Sequence, residues 1–452
     1  MSAALILPAG LRAPAAWQLF SYSRSPLALL EEGARRHGEA FTLRLAGYGQ
    51  LVILSDPAAV RDVFRGDPRV LHSGEGNEFL SASVGKTSVL VLDEEPHERQ
   101  RRALGPPLMG EPLRSHAATI VDTSAEVVRG WEAGRTLPML EPMRDITLRV
   151  ILRAVLGLTG RDAIADVAQR VQRVLELGRG RYGMILVKVL PVPLMLRTPG
   201  LPWCRHTRAL DEALLELVDA LRRRPPAERG TSVLADVLAT RHADGRPLSD
   251  REIRDALVTL IFAGHDTTSV ALAWALEQIV PRADVVERLE DELQRVTGGS
   301  PPRGEQVARL EVLDAALRES LRVRTIMPFV VRLTKQPFTA GGREYPAGVL
   351  LCPSNHLVHR REDLYPAPGE FRLDRFLQRR FGPHEWFPFG GGNRACLGMA
   401  FALFEMKLIL ATVFAGARLA RPRDGRSAPL RRGIMLAPDD GARITVVAKR
   451  GP

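Results

Sequence analysis

The 452-residue chain is predicted to be mainly helical, with small β-sheets. Three observations carry that prediction. A capping-box pattern, Ser249-Asp-Arg-Glu252, opens an apolar period through Ile253, Leu257, Leu260 and Ile261 that holds as far as Val280, before Pro281. The stretch from Met399 to Phe414 reads as a second long helix, apolar and mostly buried. Strand signals are short: Phe41–Leu45 and Leu51–Leu54 with Gly47 and Gly49 between them, and a last pair made by Ile434-Met435 and Ile444–Val447.

Length alone suggests about three domains. The composition is globular, 45% hydrophobic and 25% charged. Three cysteines, Cys204, Cys352 and Cys396, make no disulfide framework, so a reducing, cytoplasmic setting is expected. The net charge of +11 is mostly arginine and is spread along the chain. No basic run interleaved with aromatics appears, which argues against nucleic-acid binding and for a basic face that docks an acidic partner. Met1 to Pro8 is too short to span a bilayer and lacks a charged leader, so neither a membrane anchor nor a signal peptide is expected. Internal repeats and low-complexity segments are absent.

Taken in order, Ser25–Gly38 predicts a short amphipathic helix, Phe41–Leu54 a hairpin, and Pro57–Arg65 another helix. The Gly- and Ser-rich stretch from His72 to Val91 has little period; a loop that long in a compact domain is functional or mobile. Glu95–Leu104 is a basic helix with His97 and Arg101 on one face, which by itself also fits a solvated surface. Helices follow at Ala117–Trp131, Met143–Leu156 and Asp162–Leu177. From Tyr182 to Pro202 the chain is strongly apolar, but Pro191, Pro193 and Lys188 exclude a membrane span. It reads equally as buried packing or as a flexible lid.

The long helix from Ser249 would rise ~1.5 Å per residue, about 46 Å in all, enough to cross a domain. In its middle lies Ala263-Gly264-His265-Asp266-Thr267-Thr268-Ser269. Gly, Asp and Thr are weak helix formers, and Thr hydroxyls compete for carbonyls and bend helices. A polar surface patch would explain them, but Ile261, Phe262, Val270, Ala271 and Leu272 make the flanks apolar. A local rule broken inside a buried helix points to a site. Glu319-x-x-Arg322, by contrast, is by itself an ordinary i,i+3 ion pair.

The remaining motif is Phe387-Pro-Phe389-Gly-Gly-Gly392-Asn-Arg394-Ala-Cys396-Leu-Gly398. Gly390 to Gly392 allow backbone dihedrals closed to other residues. Cys396 falls at a helix start, where unpaired amides and the helix dipole favour a thiolate, and a thiolate ligates metal. A buried structural cysteine, a phosphate-cradling loop and a cysteine nucleophile are the alternatives. No Gly-Lys-Ser/Thr supports the second, and the third needs a histidine that sequence does not place.

The spacing F-x-x-G-x-R-x-C-x-G resembles the haem-binding loop of the cytochrome P-450 superfamily. The resemblance implies one large catalytic domain over residues 1–452, with haem b (iron protoporphyrin IX) between the long central helix and the cysteine-loop helix. It implies Cys396 as the proximal iron ligand, with Phe389 near the sulfur and Gly398 closing the motif. His97, Arg101, Arg332 and Arg394 become contacts of the haem propionates. Ala263, Gly264, Asp266 and Thr267 match the motif A-G-x-D/E-T-T, Asp266 and Thr267 serving in proton delivery; His265 is no ligand. Glu319, Arg322 and Arg375 become a buried structural network. Members often carry a Pro pair after the Glu-x-x-Arg helix, where this chain has Thr325-Ile326, so the path of the next strand is open. Val91, Ile326, Met327, Phe329, Val330, Ile434 and Met435 are assigned to the substrate pocket, with His72–Val91 and the apolar Tyr182–Pro202 stretch as its cover.

The implied activity is that of a soluble, bacterial-type monooxygenase of secondary metabolism, a monomer. It would insert one atom of O2 into a lipophilic small molecule such as a fatty acid, terpenoid or polyketide. No flavin or iron–sulfur motif is present, so electrons are expected from an acidic ferredoxin or flavodoxin with its NAD(P)H reductase. A haem carrier or sensor, and a peroxide-driven enzyme on the same fold, are the other readings. Neither needs the intact Asp266-Thr267 pair.

Overall fold

A computed structural model describes residues 7–178, 201–242, 244–422 and 426–450. The apolar stretch Tyr182–Pro202 lies, but for its last two residues, outside them. In chain order the helices are α1 (Ala15–Arg24), α2 (Pro26–His37), α3 (Pro57–Arg65), α4 (Ser81–Val84), α5 (Glu94–Leu104), α6 (Gly110–Ser115), α7 (Ala117–Arg129), α8 (Leu140–Leu156), α9 (Arg161–Gly178) and α10 (Pro202–Arg222). They continue as α11 (Val233–Ala239), α12 (Asp250–Ile279), α13 (Ala283–Thr297), α14 (Glu311–Val323), α15 (Asn355–Val358), α16 (Asp374–Gln378) and α17 (Met399–Gly416).

The predicted hairpin pairs β1 (Ala40–Leu45) with β2 (Gly49–Leu54), Gly47 and Gly49 both having positive φ. It is one edge of a five-stranded sheet ordered β1-β2-β8-β5-β3, with β3 at Leu71–His72, β5 at Arg332–Thr334 and β8 at Leu350–Pro353. The expected pairing of Ile434-Met435 with Ile444–Val447 does not form. Met435 begins β11 (Met435–Pro438), which pairs with β10 (Pro429–Arg432), and Ile434 lies in their turn. β12 (Arg443–Lys449) joins β4 (Thr136–Pro138) and β9 (Ala417–Ala420) instead. Pro438 ends β11, and the Asp439-Asp440-Gly441 turn redirects the chain before β12 begins.

The helical core gathers around α12. Its capping box is made: the Ser249 hydroxyl accepts the Glu252 amide (3.3 Å) and the Glu252 carboxylate accepts the Ser249 amide (2.9 Å). The helix runs unbroken from Asp250 to Ile279, through its Gly, Asp and Thr residues. Packing against α8, α14 and α17 supplies what propensity withholds. α12 and α17 are each long and apolar enough to cross a membrane. Yet 72% and 56% of their most apolar windows are buried inside the protein, which marks them as core helices.

Candidate active site

The Cys396 loop is moulded by contact with α3. Gly392 has φ 67°, and a Cβ there would stand 2.1 Å from the Phe64 carbonyl oxygen. A Cβ on Gly391 would meet the Phe64 ring at 2.2 Å. The glycines thus serve close approach as much as turn geometry. The chain then folds back so that the Cys396 amide donates to the Phe389 carbonyl (2.8 Å), three residues ahead of the start of α17. Cys204 and Cys352 are buried, whereas Cys396 is exposed. Protein nevertheless crowds its sulfur, and that crowding pushes the thiol up from its ordinary value; the Gly398 amide and the Arg101 guanidinium pull the other way. The Gly398 amide and Arg101 do not offset that crowding, so a metal cation held at this sulfur would be what favours the thiolate.

Beside this loop three arginines and one neutral histidine converge. Arg101 on α5 donates to the Ala395 carbonyl (2.7 Å). Arg332, at the start of β5, donates to the carbonyls of Gly391 (3.1 Å) and Val331 (2.9 Å). Arg394 reaches the Leu92 carbonyl (2.6 Å) and pairs with Asp93. His97 is buried four residues before Arg101 on the same helix. Burial, then the charges of Arg394 and Arg101, lowers His97 to about 4. Arg332 and Arg394 are lowered for the same two reasons, burial and a neighbouring arginine, with Asp93 opposing. Asp93 is already engaged by the amides of Ser73, Gly74 and Glu75 at 2.8–2.9 Å. It therefore leaves the cluster short of negative charge, and the buried Nε of Arg394 has no hydrogen-bond partner. An exposed thiol next to cations that lack counter-charge fits an iron porphyrin with two carboxylates. His72, Glu75 and Asp93 also bring ligand atoms together, but the saturated Asp93 carboxylate makes them a hydrogen-bonded cluster instead.

On α12, Ala263 is exposed and Gly264 and Thr267 are partly open, while His265, Asp266 and Thr268 are buried. The Thr267 hydroxyl donates to the Ala263 carbonyl (2.5 Å). Gly264 is pressed on α8: a Cβ would meet Ile151 Cδ1 at 2.7 Å. His265 Nδ1 pairs with Thr147 Oγ1 (2.9 Å), so the ring is tied to α8. Asp266 accepts from Arg144 Nε (3.2 Å), and Arg144 Nη1 donates to Glu141 (2.9 Å), whose side chain is 65% exposed. Open and buried positions thus alternate along the motif, as one side of a helix faces a site and the other faces a packed neighbour.

The sequence model of the cytochrome P450 family matches residues 8–441. The chain belongs to the cytochrome P450 family. It is 34% identical to cytochrome P450 135B1 of Mycobacterium tuberculosis, over 98% of this chain and 92% of that protein. It is also 34% identical to cytochrome P450 135A1 of the same species, over 98% and 96%. Among solved structures, cyanobacterial CYP120A1 with retinoic acid bound aligns at TM-score 0.82 and 22% identity, covering 99% of this chain and all of that one. The haem domain of cytochrome P450DA aligns at 0.85 and 23%, covering 99% and 98%. This cytochrome P450 is a haem b-binding monooxygenase, an oxidoreductase.

In this P450 the Glu319 carboxylate and the Arg322 guanidinium are fully buried and bidentate, both contacts 2.7 Å. Arg375 Nε adds a third contact at 3.2 Å, and Arg322 also caps the carbonyls of His359, Pro368 and Glu370. The residues assigned to the substrate pocket divide. Ile326 packs against the cluster formed by Leu140, Val270, Ala273, Trp274, Ala437 and Ala442, and its carbonyl accepts the Leu436 amide (2.8 Å); Val330 borders Gly390. Val91 and Met327 are partly buried, Met435 is buried and Ile434 exposed. Phe329 departs from the expectation. Its ring lies 5.8 Å from that of Tyr22, in the cluster around Leu19, Phe41 and Cys352. The chain bends at 326–328 before β5 begins, so neighbours in this short segment meet different surroundings. Sequence reasoning missed Asp93, Phe64 and Arg144. Only Asp93 carried a signal, as an acidic residue directly before the helix of His97 and Arg101.

Proposed function

We propose that this cytochrome P450 oxygenates a lipophilic small molecule of the fatty acid, terpenoid or polyketide kind, drawing electrons from a separate acidic ferredoxin or flavodoxin with its NAD(P)H reductase. The observation that carries the reading is the convergence of Arg101, Arg332, Arg394 and buried His97 on the loop that ends in exposed Cys396. Cys396 would hold the iron, and the three arginines, with the neutral His97 ring as an N–H donor, the propionates. Bound haem supplies dioxygen activation. The chain's residues supply the rest. The Thr267 hydroxyl, on the open side of α12, orients a proton at the reacting centre. Asp266, tied through Arg144 to exposed Glu141, links that proton to solvent. Ile326, Met327, Val330 and Met435 offer an apolar wall that excludes water and suits an apolar substrate. Arg102 and Arg99, the latter 42% exposed beside Glu95, lie on the helix that also carries Arg101 and offer charge to an acidic donor. A monomer working in the cytoplasm completes the reading.

The test is spectroscopic. Reduced, haem-loaded protein under carbon monoxide should absorb at the long wavelength typical of thiolate ligation, and Cys396→Ser should abolish that band. A surviving band refutes the assignment of Cys396. A panel of fatty acids, terpenoids and polyketide lactones, scored by the shift each causes in the main haem absorption, then identifies the substrate class; hydrophilic compounds alone shifting the band would refute the lipophilic reading.

A further inference from the structure

His359 follows α15 and is completely buried. Its Nε2 lies 3.1 Å from the backbone nitrogen of Phe387. A backbone N–H only donates, so Nε2 must present its lone pair, and the ring proton must sit on Nδ1. That Nδ1 is buried with no hydrogen-bond partner. A buried donor left unpaired is costly, and a fold keeps one where the other ring nitrogen has work to do. The rings of Phe387 (5.6 Å, 63°) and Tyr365 (6.2 Å, 78°) hold the imidazole edge-on. Arg322, His356 and Arg360 face it as well, and together with burial they keep it neutral.

Phe387 is the root of the Cys396 loop. Its ring is buried with Val60 and Val358 and stands 5.3 Å from Phe64, the residue against which Gly391 and Gly392 are pressed. Its carbonyl accepts the Gly390 amide (3.0 Å), and the next carbonyl but one, that of Phe389, accepts the Cys396 amide (2.8 Å). On the other side the His359 carbonyl accepts Arg322 Nη1 (2.9 Å). One residue therefore joins the buried Glu319–Arg322 pair to the loop that carries the thiol.

We infer that His359 is a positioning residue for Cys396, its neutral imidazole fixing the start of the thiolate loop through the Phe387 amide. The inference rests on Cys396 as the iron ligand only for its consequence in the haem-loaded enzyme; the joint itself exists in the bare chain. Two variants separate acceptor from bulk. His359→Gln places an amide oxygen close to the Nε2 position, and His359→Asn has an acceptor too short to reach Phe387.

In haem-free protein, hydrogen exchange of the segment 386–396 should be about tenfold or more faster in His359→Asn than in wild type, with α17 unchanged, and His359→Gln should restore protection. After haem loading, the carbon monoxide band of His359→Asn should move towards the short-wavelength form while His359→Gln keeps the long one. Nitrogen-15 histidine spectra of the wild type, assigned by loss of the signal in His359→Gln, should show the Nδ1–H tautomer. This arm decides the matter if His359→Asn does not accumulate. An Nε2–H tautomer or imidazolium at pH 7, or equal protection in wild type and His359→Asn, overturns the proposal. A failed Cys396→Ser test beside intact exchange results would instead remove only the role of the loop in iron binding.

Discussion

Asp266 and Thr267 are adjacent in sequence but meet different surroundings. The Asp266 carboxylate is buried against Arg144, and the Thr267 hydroxyl sits on the open side of α12, bonded to Ala263. Their substitutions should therefore fail differently. Thr267→Ala should consume reductant at near the normal rate but release hydrogen peroxide in place of product. Asp266→Asn should slow turnover itself by about 10²-fold, within the range of positioned proton transfer, with an altered solvent isotope effect. Thr268 is buried, so Thr268→Ala should lower stability and leave coupling intact. Product formed per reductant consumed, measured in all three, decides. Full coupling in Thr267→Ala with uncoupling in Thr268→Ala would show that the wrong threonine is assigned. His97 permits a pH prediction in the haem-free protein. Its folded pKa of about 4 lies below the ~6.5 of an unfolded histidine, so the unfolded chain takes up the proton first as pH falls. Stability from this group is whole above pH ~6.5, declines as pH falls from ~6.5 towards about 4, and is lost below that. His97→Phe should flatten thermal melts across this window; parallel slopes would remove His97 as their cause.

The contact of the cysteine loop with α3 separates two glycines that look alike in sequence. A methyl on Gly391 meets the Phe64 ring first, whereas one on Gly392 meets the Phe64 backbone at a positive φ. Gly391→Ala should cost about 1–3 kcal/mol, part of it recovered by adding Phe64→Leu, because a side chain can yield. Gly392→Ala should cost more, and no change at position 64 should rescue it. Denaturant titrations of the two single and two double variants test this. Rescue of Gly392→Ala by Phe64→Leu would contradict the assigned geometry. The same logic governs α12, where Gly264 lets α8 approach closely enough for Arg144 to reach Asp266.

The molecule as a whole carries +11. Such a charge raises encounter rates with an acidic partner, and salt screens it over about 10 Å at 0.1 M. Reduction by an acidic ferredoxin or flavodoxin should slow as ionic strength rises. Stopped-flow rates that do not respond to salt would remove steering from the account, without touching the oxygenation chemistry.

Periodicity was enough to find α2, α3, α5, α7, α8, α9, α12 and α17, because each buries one face and each face recurs at the helical repeat. α1, α10 and α13 were not legible, and neither was the pairing of β10 with β11, since both depend on which remote surface covers an element. The residues Cys396, Asp266 and Thr267 stood out through local spacing, whereas Glu319, Arg322 and Arg375 were marked only by the family resemblance. Their partners did not. Arg144 joins Asp266 across 122 positions, and Arg394 meets Asp93 across 301. His359 holds Phe387 with nothing in its own neighbourhood to announce it. What the chain determines by itself is a set of helices and the short motifs whose chemistry lies within one turn or one loop. Which charge faces which, which amide finds an acceptor, and which apolar residue such as Phe329 turns away from the site are decided by tertiary contact. Burial and close approach act between residues far apart in sequence, and no local pattern encodes them.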